Sequence, residues 1–75
     1  MTPYENLSGN SGVVAYEIRD DSIVVEFRAG GKYLYDNGTP GPAEVEEMKR
    51  LAKLGRGLAT FINQKVRKRF ALKLG

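Results

Sequence analysis

The chain has 75 residues, the size of one small domain near the lower limit for folding without a metal or a disulfide. It contains no cysteine and no histidine, so it has no disulfide framework, no thiolate zinc site and no imidazole for proton transfer near neutral pH. The composition therefore predicts a protein that is not an enzyme and that uses no metal or cofactor.

The hydropathy pattern predicts a soluble protein with no membrane partner. No apolar run approaches the ~20 residues that a membrane-spanning helix needs. The first residues, from Met1 to Glu5, also lack the positive and apolar stretches of a signal peptide. We therefore expect a cytoplasmic protein.

The first half of the chain has the pattern of a β-sheet. Residues 1–11 are rich in Ser, Gly and Asn and are predicted to be a flexible N-terminus, followed by a single domain over residues 12–72. Three segments then alternate apolar and polar side chains with period two and are separated by turn-forming residues: 13–18, 23–28 and 32–36. The alternation predicts a three-stranded antiparallel β-meander.

The second half has helical periodicity. Pro42 and three glutamates precede Lys49, Arg50 and Lys53, the charge order that suits a helix dipole, so we expect a helix over 42–54 with Gly55 as its C-cap. A second helix is expected over 57–70, because four apolar residues form a narrow stripe there: Leu58, Ile62, Val66 and Phe70. The fold class is thus α+β, with both helices packed on the sheet.

Charge is divided unevenly along the chain. The first 48 residues hold all nine acidic residues and only three basic ones, whereas residues 49–75 hold nine basic residues and no acidic one. An uncompensated cluster of cations is typical of a surface that binds a polyanion, so nucleic acid is the first partner to consider. The alternative is that these cations complement helix dipoles and keep the protein soluble.

Within the basic half, six residues are candidates for nucleic-acid contact: Arg56, Asn63, Lys65, Arg67, Lys68 and Arg69. The lysines and arginines of the second helix would contact phosphates, and Arg56 would help at the helix N-terminus, where free backbone N–H groups suit an anion. Asn63 would hydrogen-bond a base edge or a ribose, although an inter-helix contact explains it equally well.

Aromatic residues of the meander offer a second type of contact. Tyr16, Tyr33 and Tyr35 could act as stacking platforms for unpaired bases. Each is expected to share its strand face with other apolar residues, so packing in the core is the better interpretation. We therefore leave the tyrosines out of the predicted site.

The segment from Ser11 to Phe70 resembles the KTSC domain, a small family named for its occurrence at the C-terminus of some lysyl-tRNA synthetases. The resemblance lies in a Tyr-containing first strand, a second strand that ends in Phe27, the sequence Gly30-Gly31-Lys32-Tyr33-Leu34-Tyr35, and the tail from Phe61 to Phe70. The chain departs from the family pattern at residues 37–42 and 55–60. The resemblance implies an RNA-related role and no catalytic residue, and Asn63 and Arg67 match polar positions of the family's tail.

Together these features predict a non-catalytic accessory module that binds tRNA or another structured RNA through its basic C-terminal helix. The alternative is a small protein-interaction module with no nucleic-acid partner. In that alternative, the third strand at a sheet edge, or the acidic first half, contacts another chain or a second copy.

Overall fold

The computed structural model describes residues 1–7, 9, 11–66 and 68–75, which form an α+β domain. Its elements in chain order are β1 (Thr2–Pro3), β2 (Val13–Ile18), β3 (Ser22–Phe27), β4 (Lys32–Asp36), α1 (Pro42–Leu54), α2 (Leu58–Phe61), a π-helical turn (Ile62–Val66) and β5 (Leu72–Lys73). The five strands form one antiparallel sheet in sequence order, so β1 and β5 are its edges.

The core lies between one face of the sheet and the helical segments. Ile23 and Val25 of the central strand β3 are completely buried, and they meet Val45, Met48 and Leu58 of the helices in one apolar cluster. The alternation of the three long strands places the larger apolar side chains on this face, which is why the helices cover it.

The α+β class and the three long strands are confirmed, but the prediction of a three-stranded sheet is wrong. β1 pairs with β2 through Thr2 and Tyr16, and β5 pairs with β4 through Leu34 and Leu72. Both added strands have only two residues, too few to show a period in the sequence. They form because the outer strands β2 and β4 present unpaired backbone groups that the chain termini satisfy.

α1 spans the predicted residues and ends as predicted. Pro42 occupies its first turn, and Gly55 adopts the left-handed conformation with φ of 84°. The Gly55 N–H donates to the Leu51 carbonyl over 3.0 Å, which closes the last turn of the helix.

The second helix is shorter than predicted. Its apolar stripe is confirmed, since Leu58, Ile62 and Val66 are buried, but α2 gives way to the π-helical turn at Ile62 and the helical segment ends at Val66. The chain then turns back, and the Ala71 N–H donates to the Leu34 carbonyl over 2.7 Å. Pairing with the free edge of β4 has taken the place of further helical hydrogen bonds.

The N-terminal segment crosses the junction between the two helices. The Tyr4 N–H donates to the Val14 carbonyl, and the Leu7 N–H donates to the Gly55 carbonyl over 2.7 Å. Tyr4 is buried, and its hydroxyl accepts a hydrogen bond from the Leu58 N–H. Thr2 and Pro3 thus contribute to the sheet and Tyr4 to the core, whereas the flexibility of residues 1–11 stays a prediction.

A search for membrane-spanning helices among the described residues finds none with the required length and apolar character.

Candidate nucleic-acid interface

A groove of about 670 Å³ opens between the β3–β4 hairpin and the segment that follows the π-helical turn. We call it the aromatic groove. Its aromatic lining consists of Phe27, Tyr33, Tyr35 and Phe70. Its polar lining consists of Asn63, Lys68 and Lys73, and Ala29, Gly30 and Ile62 complete it.

Three of the aromatic rings contact one another in the groove. The Phe27 and Tyr33 rings meet edge to face with their centroids 5.6 Å apart, and the Phe70 ring lies tilted against Tyr33 at 4.7 Å. Phe27 and Tyr33 come from the two strands of the hairpin, and the turn after Val66 brings Phe70 to them. All three rings are only partly buried, so the groove presents aromatic surface to a ligand.

The fourth aromatic residue, Tyr35, forms part of the buried floor. Only 2% of its surface is exposed. Burial raises the pKa of its phenol to about 12, because the phenolate would lose its hydration, and the neighbouring Tyr33 adds to this effect. Tyr35 therefore stays neutral throughout the physiological range.

The polar side chains of the aromatic groove carry positive charge. Lys68 follows the helical segment, and Lys73 lies opposite Tyr33 in the register of β4 and β5, with its Nζ 5.9 Å from the Tyr33 ring centroid. Both lysines are exposed, as is Asn63. No acidic residue lines the groove within the described part of the chain, so its electrostatic environment favours an anion.

Two other predicted site residues lie on a different surface. Lys65 and Arg69 line a smaller cleft of about 300 Å³ together with Glu44 and Glu47, which we call the mixed-charge cleft. Arg69 Nη2 donates to the Lys65 carbonyl over 2.7 Å and lies 3.5 Å from Glu44 Oε2. The two carboxylates disfavour phosphate in this cleft, and Arg69 is already engaged with the protein.

The remaining predicted residues do not join either surface. Arg56 is exposed in the turn between α1 and α2, and the backbone N–H of Leu58 at the start of α2 already donates to the Tyr4 hydroxyl. An anion site at this helix start therefore has one fewer free donor than the sequence suggests. Arg67 lies outside the described residues.

Part of the basic half is neutralised by the acidic half once the chain is folded. Lys49 is buried, and its ammonium group donates to the Asp20 carbonyl over 3.0 Å and lies 3.2 Å from Glu46. Arg50 forms a bidentate pair with Glu47, and the hydrogen bond and charge of this arginine hold the Glu47 pKa below its usual value. These cations stabilise the fold and are not available as a polyanion surface.

Sequence reasoning left Phe27, Phe70 and Lys73 out of the predicted site and set aside Tyr33 and Tyr35, although all five line the aromatic groove. Phe70 was predicted as the end of a helical stripe and Lys73 entered only as one of the nine cations of residues 49–75, because the pairing of β5 with β4 leaves no periodic signal in the sequence. Tyr33 was assigned to the core, and it does pack there, but part of its surface lines the groove.

The described residues contain no group of three acidic, histidine or cysteine side chains that could hold a metal ion. Comparisons of the chain with protein-family models, with curated proteins and with solved structures find no match. Membership of the KTSC family therefore stays a prediction.

Proposed function

We propose that the protein is a non-catalytic RNA-binding module and that the aromatic groove is its binding surface. The observation that carries the proposal is the convergence of Lys68, Lys73 and Asn63 around an aromatic floor with no acidic neighbour in its described lining. Cations that contact phosphates provide affinity, and exposed rings provide contact with bases. The choice of RNA over DNA follows the resemblance to the KTSC domain.

This assignment narrows the predicted site. Asn63 and Lys68 remain in it and Lys73 is added, whereas the role of Arg67, which lies outside the described residues, stays a prediction from the sequence. Lys65, Arg69 and Arg56 are left out of the proposed site, since the first two lie beside carboxylates and the third lies in the turn between the helices.

The competing function, a protein-interaction module, loses one of its arguments. It relied on the third long strand lying at a sheet edge, but β4 lies between β3 and β5 in the sheet. The exposed edges are two-residue strands, which are short templates for pairing with another chain. The RNA-binding proposal is therefore the better supported of the two.

A titration with bulk tRNA at two or more salt concentrations tests the proposal. Wild-type protein is compared with Lys68→Ala plus Lys73→Ala, and with the control Lys53→Ala plus Arg56→Ala. Both double variants lower the formal net charge from +3 to +1. None of the four side chains has a salt-bridge partner within the described part of the chain.

We expect the groove variant, Lys68→Ala plus Lys73→Ala, to bind RNA more weakly than the wild type. The slope of log K against log salt concentration should become less steep by about 1.4–1.8, because two phosphate contacts are removed. The control variant should retain most of the wild-type slope. Equal losses in both variants would show a diffuse charge effect and contradict the groove as the site. Absence of binding by wild-type protein at low salt would contradict the RNA-binding function itself.

A further inference from the structure

The aromatic groove places partly exposed aromatic rings beside two lysines, and a base-paired duplex cannot contact both the rings and the lysines. Its volume of about 670 Å³ falls within the range of roughly 300–1,000 Å³ that is typical of small-molecule sites. Its lining offers the faces and edges of Tyr33 and Phe70, which contact each other at 4.7 Å and are both only partly buried. A planar, apolar group that enters the groove would exchange water for ring contacts.

Bases in a duplex have their faces covered by their neighbours in the stack, so they expose only edges and backbone. Such a ligand would contact the lysines and leave the aromatic lining in water. An unpaired nucleotide can contact both the rings and the lysines, because its base is free to enter the groove while its phosphates stay outside. The chemistry of the lining therefore distinguishes between the two forms of RNA.

Two cations from different parts of the chain line the groove. Lys68 follows the helical segment and Lys73 belongs to β5, and the segment between them carries Phe70. A ligand with more than one phosphate has enough negative charge to contact both lysines. A free mononucleotide has a single phosphate, so it would neutralise the two lysines less completely than a chain does.

We propose that the aromatic groove takes an unpaired segment of RNA, with one base packed against the Phe70 ring and its flanking phosphates on Lys68 and Lys73. This inference rests on the RNA-binding function proposed above and names the form of RNA that is bound. Asn63, exposed at the same groove, offers an amide donor and an acceptor to the edge of that base.

The test measures affinity at low salt for three ligands: a short single-stranded RNA, a blunt RNA duplex with the same number of phosphates, and a nucleoside monophosphate. We expect the single strand to bind about tenfold more tightly than the duplex, because stacking of one base contributes roughly this much. The monophosphate should bind much more weakly than the single strand.

The contribution of the ring is tested with Phe70→Leu, which keeps an apolar side chain but removes the aromatic face. Phe61→Leu is the matched control, since Phe61 is also partly buried but lines the mixed-charge cleft. We expect about a tenfold loss of single-strand affinity in Phe70→Leu and little change in the control. If Phe70→Leu does not fold, an NMR titration of the wild-type protein replaces it. The ring resonances of Phe70 should then shift when single-stranded RNA is added.

The outcomes separate the two proposals. Equal affinity for single strand and duplex, with both lost in Lys68→Ala plus Lys73→Ala, would overturn this inference and leave the RNA-binding function in place. A monophosphate that binds as tightly as the single strand would also overturn it, in favour of a small-molecule site. Failure to bind any RNA at low salt would overturn both proposals.

Discussion

Tyr4 joins the N-terminal segment to the start of α2. Its side chain is buried, and its hydroxyl accepts a hydrogen bond of 3.3 Å from the Leu58 N–H. α2 has no side-chain cap from its own N-cap residue, Gly57, so the Tyr4 hydroxyl takes the role that a serine or aspartate cap usually has. A residue 54 positions away in sequence thereby satisfies a donor at a helix start.

We expect Tyr4→Phe to lower the free energy of unfolding by about 1 kcal/mol, because the Leu58 N–H would remain buried without a partner. Urea denaturation measures this change. Tyr16→Phe is the control, since the Tyr16 hydroxyl has no hydrogen-bond partner among the side chains that the structure describes, and its effect should stay within about 0.5 kcal/mol. Equal effects in the two variants would contradict the capping role of Tyr4.

Tyr35 should make the fold sensitive to alkaline pH. Its pKa of about 12 in the folded state exceeds the usual value of 10.0, so between these pH values the unfolded chain releases a proton that the folded protein keeps. The contribution to stability is therefore complete below pH 10 and decreases as pH rises toward 12, by about 2–3 kcal/mol in total.

Denaturation curves at a series of alkaline pH values test this expectation. Tyr35→Phe keeps the ring and has no proton to release, so its stability should fall less steeply than that of the wild type above pH 10. The comparison isolates Tyr35 because the other tyrosines and the lysines are the same in both proteins. Parallel pH profiles would contradict the raised pKa.

The junction between α1 and α2 depends on two glycines with nearly the same backbone conformation. Gly55 has φ of 84° and Gly57 has φ of 83°. They differ in their surroundings, since a Cβ atom on Gly55 would lie 3.0 Å from the Glu5 Cβ, whereas one on Gly57 would lie 3.5 Å from a Leu51 methyl group. The first distance is too short for carbon atoms, and the second is an ordinary contact.

We therefore expect Gly57→Ala to cost about 1–2 kcal/mol of stability, which is the penalty for a left-handed alanine. Gly55→Ala should cost more, because the N-terminal segment must also move away. Urea denaturation of both variants, with and without the further change Glu5→Gly, measures the difference. If removal of the Glu5 side chain does not bring the two glycine variants closer together, the contact with Glu5 is not the cause.

The elements differ in how far the sequence could predict them. α1 was predicted to its last residue, because Pro42, the charge order and Gly55 are all local signals that agree with its apolar stripe. The second helix was predicted too long, since Phe70 continues the stripe of Leu58, Ile62 and Val66 by spacing alone. Its end is set by the free edge of β4, which is distant in sequence and invisible to a local pattern.

The same limit applies to the candidate site. Asn63 and Lys68 could be selected because polar residues opposite an apolar stripe are expected on a helix surface. Phe70 and Lys73 could not, since they reach the aromatic groove only through the turn and the pairing of β5 with β4. For Lys65 and Arg69, the neighbouring carboxylates come from α1 and depend on how the helices pack.

The strands lie in the sheet in sequence order, so resistance to local unfolding is expected to decrease from the central strand β3 to the edge strands β1 and β5. β3 is paired along its length on both sides, whereas β1 and β5 are held by two residue pairs each. We expect amide hydrogen exchange to be slowest in β3 and much faster at Ala71 and Leu74, whose N–H groups bond to the β4 edge.

The exchange measurement also tests the predicted flexibility of the N-terminus. The Tyr4 and Leu7 amides donate to backbone carbonyls, so their protection reports on how often the segment detaches. Gly12, which is exposed, provides an unprotected reference in the same region. Exchange at Tyr4 as fast as at Gly12 would show that the segment leaves the core frequently.

The pairing of β5 with β4 has a practical consequence for the binding experiments. The Leu74 N–H donates to the Lys32 carbonyl, and the Gly75 carbonyl lies 3.4 Å from where a Cβ atom on Gly31 would stand, next to the Tyr33 ring. A purification tag or fluorophore attached after Gly75 would therefore start beside the aromatic groove and compete with its ligand. One attached before Met1 would start at the opposite edge of the sheet, so the N-terminus is the position for labels in every titration described above.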